Sequence, residues 1–150
     1  MEIAPKISVV LPTYNRGYII SRAIESILNQ TFQDFELIIV DDGSTDNTEA
    51  VVRTFADPRI RYVKELHRGG AAARNTGIFI SRGEFIAFQD SDDEWLPEKL
   101  EKQMAAFAEA DSSVGIVYTG FWKNMKGGKL EYFPSASVKK KEGNIYETLL

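Results

Sequence analysis

Two aspartates one residue apart, Asp90 and Asp92, are joined by Asp93 and Glu94, and the four acids follow directly on the apolar run Phe85, Ile86, Ala87, Phe88. Carboxylates grouped at the end of a strand-like segment suit a hard divalent cation. Mg2+ and Mn2+ prefer oxygen ligands and keep waters and a substrate diphosphate in their shell, so one or two protein carboxylates suffice. The same acids ahead of Pro97 would also favour the positive end of a following helix, at about 0.3–1 kcal/mol per charge. Both readings stand on these residues alone. A calcium loop is set aside, because Trp95 stands where its turn needs glycine and Pro97 falls inside it.

The segment IIVDDGSTDNT supplies a second acidic strand end in Asp41 and Asp42. Ser44, Thr45 or Asp46 can cap the helix that follows, and Asp46 with Glu49 can do so unaided, which leaves Asp41 and Asp42 for another use. A carboxylate there can accept from a base N–H or a ribose hydroxyl, as acids do in dinucleotide-binding sheets. In LPTYNR, Tyr14 and Arg16 follow Pro12 and Thr13 over the same edge. A tyrosine so placed either stacks on a base or packs on the next helix. Arg74, in the small-residue segment GGAAARNTG, either pairs with phosphate oxygens or forms a surface ion pair. The lone histidine, His67, precedes the third helix and either touches a ligand or is a plain loop residue, and it is read as the latter. Neither G-x-G-x-x-G nor G-x-x-x-x-G-K-[ST] occurs, so NAD-type and P-loop binding are not indicated.

The elements that must position these residues alternate. ISVVL and FELIIV are short branched-apolar runs, the mark of strands covered on both faces. Between them Ile20, Ala23, Ile24, Ile27 and Leu28 recur at helical spacing. A helix over STDNTEAVVRTF, burying Val51, Val52 and Phe55, leads to a third strand in RIRYVKEL. GGAAARNTGIFISRG reads as a helix ended by Gly83, and EFIAFQ as the fourth strand. A further helix runs from Pro97 with Leu100, Met104 and Phe107 on one face, and VGIVYTGFW resumes strand character. KNMKGGKLEYF is a candidate hairpin turning at Gly127 and Gly128, and SASVKKKEG a loop. The pattern predicts an α/β fold with an open, mainly parallel sheet flanked by helices, which binds ligands outside the carboxyl ends of its strands. NIYETLL ends the sequence uncapped, and the reading expects a chain cut short there.

The 150 residues are expected to form one domain, with 43% hydrophobic and 27% charged side chains. A net charge of -4 provides no basic field for a nucleic-acid backbone. The absence of cysteine excludes disulfides and thiolate metal sites and fits a reducing compartment. The start lacks a signal peptide's organisation, and no apolar run approaches the ~20 residues of a membrane span. Any membrane contact is therefore expected to be peripheral. Lys139–Lys141 read as solvated.

Taken in order, VVLPTYNR, IIVDDGSTDNT, GGAAARNTGI and FIAFQDSDDEWLPEKL closely resemble the nucleotide-binding half of family 2 glycosyltransferases with the GT-A fold, over about residues 5–120. The resemblance implies that Pro12, Thr13 and Tyr14 line a base and ribose pocket with Arg16 beside them, and that Asp42 accepts from the base, typically uracil. Asp90 would face the ribose or the metal, Asp92 would be the principal ligand of Mg2+ or Mn2+, and Arg74 would meet a phosphate or the donor sugar. It implies transfer, with inversion, from a nucleotide sugar (a UDP-sugar favoured) to a saccharide or lipid-linked acceptor, in the cytoplasm or at the inner face of its membrane. The catalytic base is expected beyond Leu150, since Glu131, Glu142 and Glu147 match no known position. Two alternatives are a donor-binding module without turnover and a haloacid-dehalogenase-type phosphatase, although Glu94 stands where that family has threonine or valine.

Overall fold

The computed structural model describes residues 4–133. The chain divides into two compact units, one ending at Ala108 and the other beginning at Glu109. The first contains the parallel strands β1 (Ile7–Thr13), β2 (Phe35–Asp41), β3 (Ile60–Lys64) and β4 (Phe85–Phe88), in the order β3-β2-β1-β4. β1 and β2 are central and buried along their whole length, as their continuous apolar runs require.

The two-residue period of a strand sorts their side chains onto two faces. Ile7, Val9 and Leu11 of β1 and Phe35, Leu37 and Ile39 of β2 share one core with Ile20, Ala23, Ile24 and Ile27 of α1 (Ile20–Leu28). Val52 of α2 (Thr48–Val52) and Leu100 of α4 (Lys99–Glu109) join it. On the other face Ile38 and Val40 pack with Ala73 and Ile80 of α3 (Gly70–Ile80). The small residues of α3 allow this close approach: a Cβ at Gly77 would come within 2.3 Å of Val10 Cγ1.

The chain lays strands in one direction from β1 to β3 and then returns to place β4 on the far side of β1. Parallel crossovers are right-handed, so the returning α3 must cover the face opposite α1. The same reversal opens a crevice beyond the carboxyl ends of β1 and β4.

Two helix boundaries are corrected. The second helix is confined to Thr48–Val52, because Asp46 turns onto Thr48 two residues on and Glu49 pairs with Arg53 and Lys64 instead of closing a capping box. The third helix ends at Ile80, where Ser81 is already extended. Gly83 instead permits a close crossing, since a Cβ there would come 2.5 Å from the Ser8 backbone nitrogen. β4 is an edge strand among the described residues and leaves Ile86 and Phe88 exposed.

In the second unit β5 (Phe121–Asn124) and β6 (Leu130–Phe133) form an antiparallel hairpin, and Gly127 and Gly128 make its turn with φ of 89° and 78°. The strand expected over 114–122 is reduced to its last two residues. Val114, Ile116 and Tyr118 find no partner strand among the described residues, and strand propensity without a partner does not make a strand. SASVKKKEG and NIYETLL lie outside the described residues.

Candidate functional site

A cleft of about 630 Å³ lies beyond the carboxyl ends of the strands. β1 and its loop bring Pro12, Thr13, Tyr14 and Arg16 to it, the end of β2 brings Asp42, α3 brings Arg74, and the loop after β4 brings Asp90 and Asp92. These eight residues singled out from the sequence thus line one cavity, whereas Asp41, considered there with Asp42, does not reach it. A hollow of about 550 Å³ beside Val52, Phe55 and Tyr62 offers only Arg53 and Asp57 as charges. Both are already paired, Arg53 with Glu49 and Asp57 with Arg59.

The loop after β1 is held by the loop after β2. Asn15 adopts a positive φ of 51°, which asparagine tolerates better than most residues. Its N–H donates to Ser44 Oγ at 2.9 Å, and its Oδ1 accepts from Thr45 N–H at 2.8 Å. Arg16 N–H donates to Thr48 Oγ1, and Gly17 N–H to Asp46. The Thr48 hydroxyl first, and the Thr48 and Gly17 N–H groups after it, hold the Asp46 carboxyl below its ordinary value against a smaller opposing effect of desolvation. Tyr14 and Arg16 therefore stand on a braced loop.

The adjacent acids Asp41 and Asp42 have different tasks. Asp41 is fully buried, and its carboxylate accepts from Ser44 N–H at 2.7 Å and from the Tyr62 hydroxyl at 2.5 Å. Burial first, then the Asp41 charge, raises the Tyr62 hydroxyl far above its ordinary value, so it stays a donor. Asp42 is buried at the cleft wall and accepts from Arg68 N–H at 2.7 Å and Gly69 N–H at 2.9 Å. His67 Nδ1 lies 2.8 Å from its Oδ2. A carboxylate has about four lone-pair sites, so roughly one remains for a ligand.

The rim alternates in charge. Arg74 pairs with Asp90 at 2.5 Å, and Arg16 lies 3.6 Å from Asp92. Glu94 turns away to pair with Arg22 of α1. Partial desolvation, and after it the charges of Asp92 and Asp90, raise the Asp93 carboxyl above its ordinary value. The cluster therefore resists its own negative charge. Among the described residues no group of three or more His, Cys, Asp or Glu is arranged to hold a metal. Two hard-oxygen carboxylates on one cleft nevertheless fit Mg2+ or Mn2+ when water and a diphosphate complete the shell.

Three details of the site were not legible in the sequence. His67, read as a plain loop residue, lines the cleft and stacks on Tyr14 with ring centroids 4.2 Å apart. Thr13 Oγ1 is buried without a hydrogen-bond partner among the described residues. Asn15 is the brace described above, and its asparagine after a strand was the available signal.

The sequence matches the family profile described as Glycosyl transferase family 2 over residues 8–148. The chain belongs to glycosyl transferase family 2. A relative in Escherichia coli, the UDP-Glc:alpha-D-GlcNAc-diphosphoundecaprenol beta-1,3-glucosyltransferase WfgD, is 45% identical over 100 residues, covering 66% of this chain and 40% of the relative. The structure of S. aureus TarS 1-349 in complex with UDP-GlcNAc aligns with a TM-score of 0.66 at 35% identity, covering 69% of this chain and 31% of that one. The mannosyltransferase PcManGT from Pyrobaculum calidifontis, in complex with GDP-Man and Mn2+, aligns with a TM-score of 0.66 at 31% identity over 75% of this chain and 34% of that one. The sheet is thus of the expected GT-A type. The phosphatase alternative falls with the family. This family 2 chain spans less than half the length of the relatives it matches.

Proposed function

We propose that this chain is the donor-binding part of an inverting glycosyltransferase that uses a nucleoside-diphosphate sugar, preferentially a UDP-sugar, in cell-surface polysaccharide or glycoconjugate synthesis. One observation carries the reading. In a family 2 chain, a single cleft brings together an aromatic wall, a buried carboxylate, two arginines and two rim aspartates. The uridine preference draws on the UDP named for the Escherichia coli relative and for TarS, while the GDP-Man of PcManGT makes guanine the competitor.

Tyr14 belongs to the aromatic wall that faces the base, and the remaining lone-pair site of Asp42 accepts a base N–H. Thr13, which lines the same cleft, would face the ribose. Arg74 and Arg16 present guanidinium groups to the phosphate oxygens, where planar forks pair well. Asp92, with Asp90, would hold Mg2+ or Mn2+, which when bound supplies positive charge to the departing diphosphate. The acceptor hydroxyl oxygen forms the new bond to the anomeric carbon, and the bond from that carbon to the diphosphate breaks with its electron pair on the leaving oxygen. A carboxylate base takes the acceptor proton. That base is expected beyond Leu150. The acceptor is a saccharide or lipid-linked hydroxyl, met in the cytoplasm or at a membrane face. No helix among the described residues is long and apolar enough to cross a membrane.

Calorimetric titration with UDP, with and without Mn2+, tests the proposal. Binding that depends on Mn2+, is lost in Asp92→Ala and is weakened in Asp42→Ala is expected. A folded wild-type chain that does not bind UDP refutes it.

A further inference from the structure

Resting on this donor-binding reading, we propose that His67 binds the nucleobase: its ring, backed by that of Tyr14, presents its other face for the base to stack on. The two rings lie nearly parallel, with centroids 4.2 Å and planes 24° apart, and both line the cleft. Tyr14 nevertheless remains 42% exposed, and the His67 side chain 56%. With Tyr14 on one face of the His67 ring and that side chain still more than half exposed, the face of His67 turned away from Tyr14 is the one left to a base.

The His67 ring is held in place. His67 Nδ1 lies 2.8 Å from Asp42 Oδ2 and 3.0 Å from the Asp42 carbonyl oxygen. Both are acceptors, so Nδ1 carries the hydrogen, and the ring's orientation follows from Asp42. Asp42 is itself anchored by the Arg68 and Gly69 N–H groups, immediately before α3. The ring is thus tied to the same segment that presents Arg74. Stacking engages the face of a base and tolerates different bases. His67 accordingly supplies affinity for nucleoside diphosphates generally, while choice among bases falls to groups that reach the base edge.

The test uses the 150-residue chain with Mn2+, titrated with UDP and separately with inorganic diphosphate, as wild type, His67→Ala and His67→Phe. His67→Ala is expected to weaken UDP binding about tenfold, within the range for loss of one base-stacking ring, and to leave diphosphate binding unchanged. His67→Phe, which keeps a ring without nitrogens, is expected to retain most of the UDP affinity. Unchanged UDP affinity in His67→Ala overturns the inference. Equal losses in both variants also overturn it, because His67 would then act through its bond to Asp42. A parallel loss of diphosphate binding does the same, by showing a collapsed loop. Failure of the wild-type chain to bind UDP overturns the donor reading together with this inference, whereas the other failures overturn this inference alone.

Discussion

Replacing Asp41 tests the division of labour between two adjacent acids. Its carboxylate is fully buried and accepts two hydrogen bonds, from Ser44 N–H and the Tyr62 hydroxyl. Bonds to a charged group contribute about 1.5–3 kcal/mol each, roughly 3–6 kcal/mol for the two. Truncation also relieves the desolvation of a buried carboxylate, so Asp41→Ala is expected to cost about 3 kcal/mol. Asp41→Asn keeps the shape. Its carbonyl oxygen accepts from Ser44, and its amide donates to Tyr62, whose hydroxyl can rotate to accept. Two neutral bonds then replace two charge-assisted ones, for a loss of about 1 kcal/mol.

Tyr62→Phe should cost about 1–2 kcal/mol in the wild type and almost nothing after Asp41→Ala, a coupling of about 1–2 kcal/mol in a double-mutant cycle. Urea unfolding at pH 7, followed by circular dichroism, measures all three quantities. An Asp41→Ala loss of no more than about 0.5 kcal/mol would refute the reasoning, since that is the range of ordinary surface changes. So would an Asp41→Asn variant with wild-type stability and no UDP binding, because the carboxylate would then be serving the ligand.

Two further outcomes test the sheet beneath the site. At the opposite end of β2, Glu36 is buried and accepts from Arg61 and from Ser8 Oγ at 2.7 Å each, with Arg82 Nη2 at 3.1 Å. Burial alone would raise its carboxyl, but Arg61, Ser8 and Arg82 outweigh it and the net shift is downward. The Glu36 contribution is therefore complete above the ordinary glutamate value near ~4.3 and is lost as pH falls through the lower folded value. Glu36→Gln should cost about 2 kcal/mol at pH 7, less than a fully buried pair because both arginines are partly hydrated, and should flatten the acid limb of stability against pH; an unchanged limb contradicts it. Gly77→Ala should destabilise by about 1–2 kcal/mol, because overpacking against Val10 exceeds the helix propensity gained. A rise in the urea midpoint would show that α3 has room to shift.

The strands and the cleft were legible because their signals are local. Continuous branched-apolar runs mark β1 and β2, and acids or loop residues directly after a strand must emerge at its carboxyl end. That is why Asp42, Asp90, Asp92, Tyr14 and Arg16 could be assigned to one edge before any coordinates. Arg74 reached the same edge from a helix, and its spacing from Gly70 placed it in the first turns of α3. What failed depended on partners distant in sequence. Asp46 resembled a helix cap, but Gly17, nearly thirty residues earlier, takes part of its carboxylate. Gly83 resembled a helix stop, but its contact is the Ser8 backbone. His67 carried no motif, and only its position against Tyr14 and Asp42 gives it meaning.

The rim charges follow a different rule from the buried ones, and the difference bears on function. Arg74 and Asp90 have side chains 39% and 54% exposed, and Arg16 and Asp92 are similarly open. Exposed pairs of this kind contribute about 0–1 kcal/mol each, so separating them costs little. A nucleoside diphosphate with a divalent cation carries both signs of charge. Its phosphates can take the arginines while the cation takes the aspartates, so each rim group exchanges one opposite charge for another and none is stranded. Asp41 has no such alternative partner, because Ser44 and Tyr62 use it in the interior. Asp92→Ala is accordingly expected to leave the urea midpoint almost unchanged while removing Mn2+-dependent UDP binding, whereas Asp41→Ala loses stability first. If Asp92→Ala instead unfolded the chain as Asp41→Ala does, the rim would be part of the scaffold, and exchange of charge partners could not be how the cleft takes its ligand.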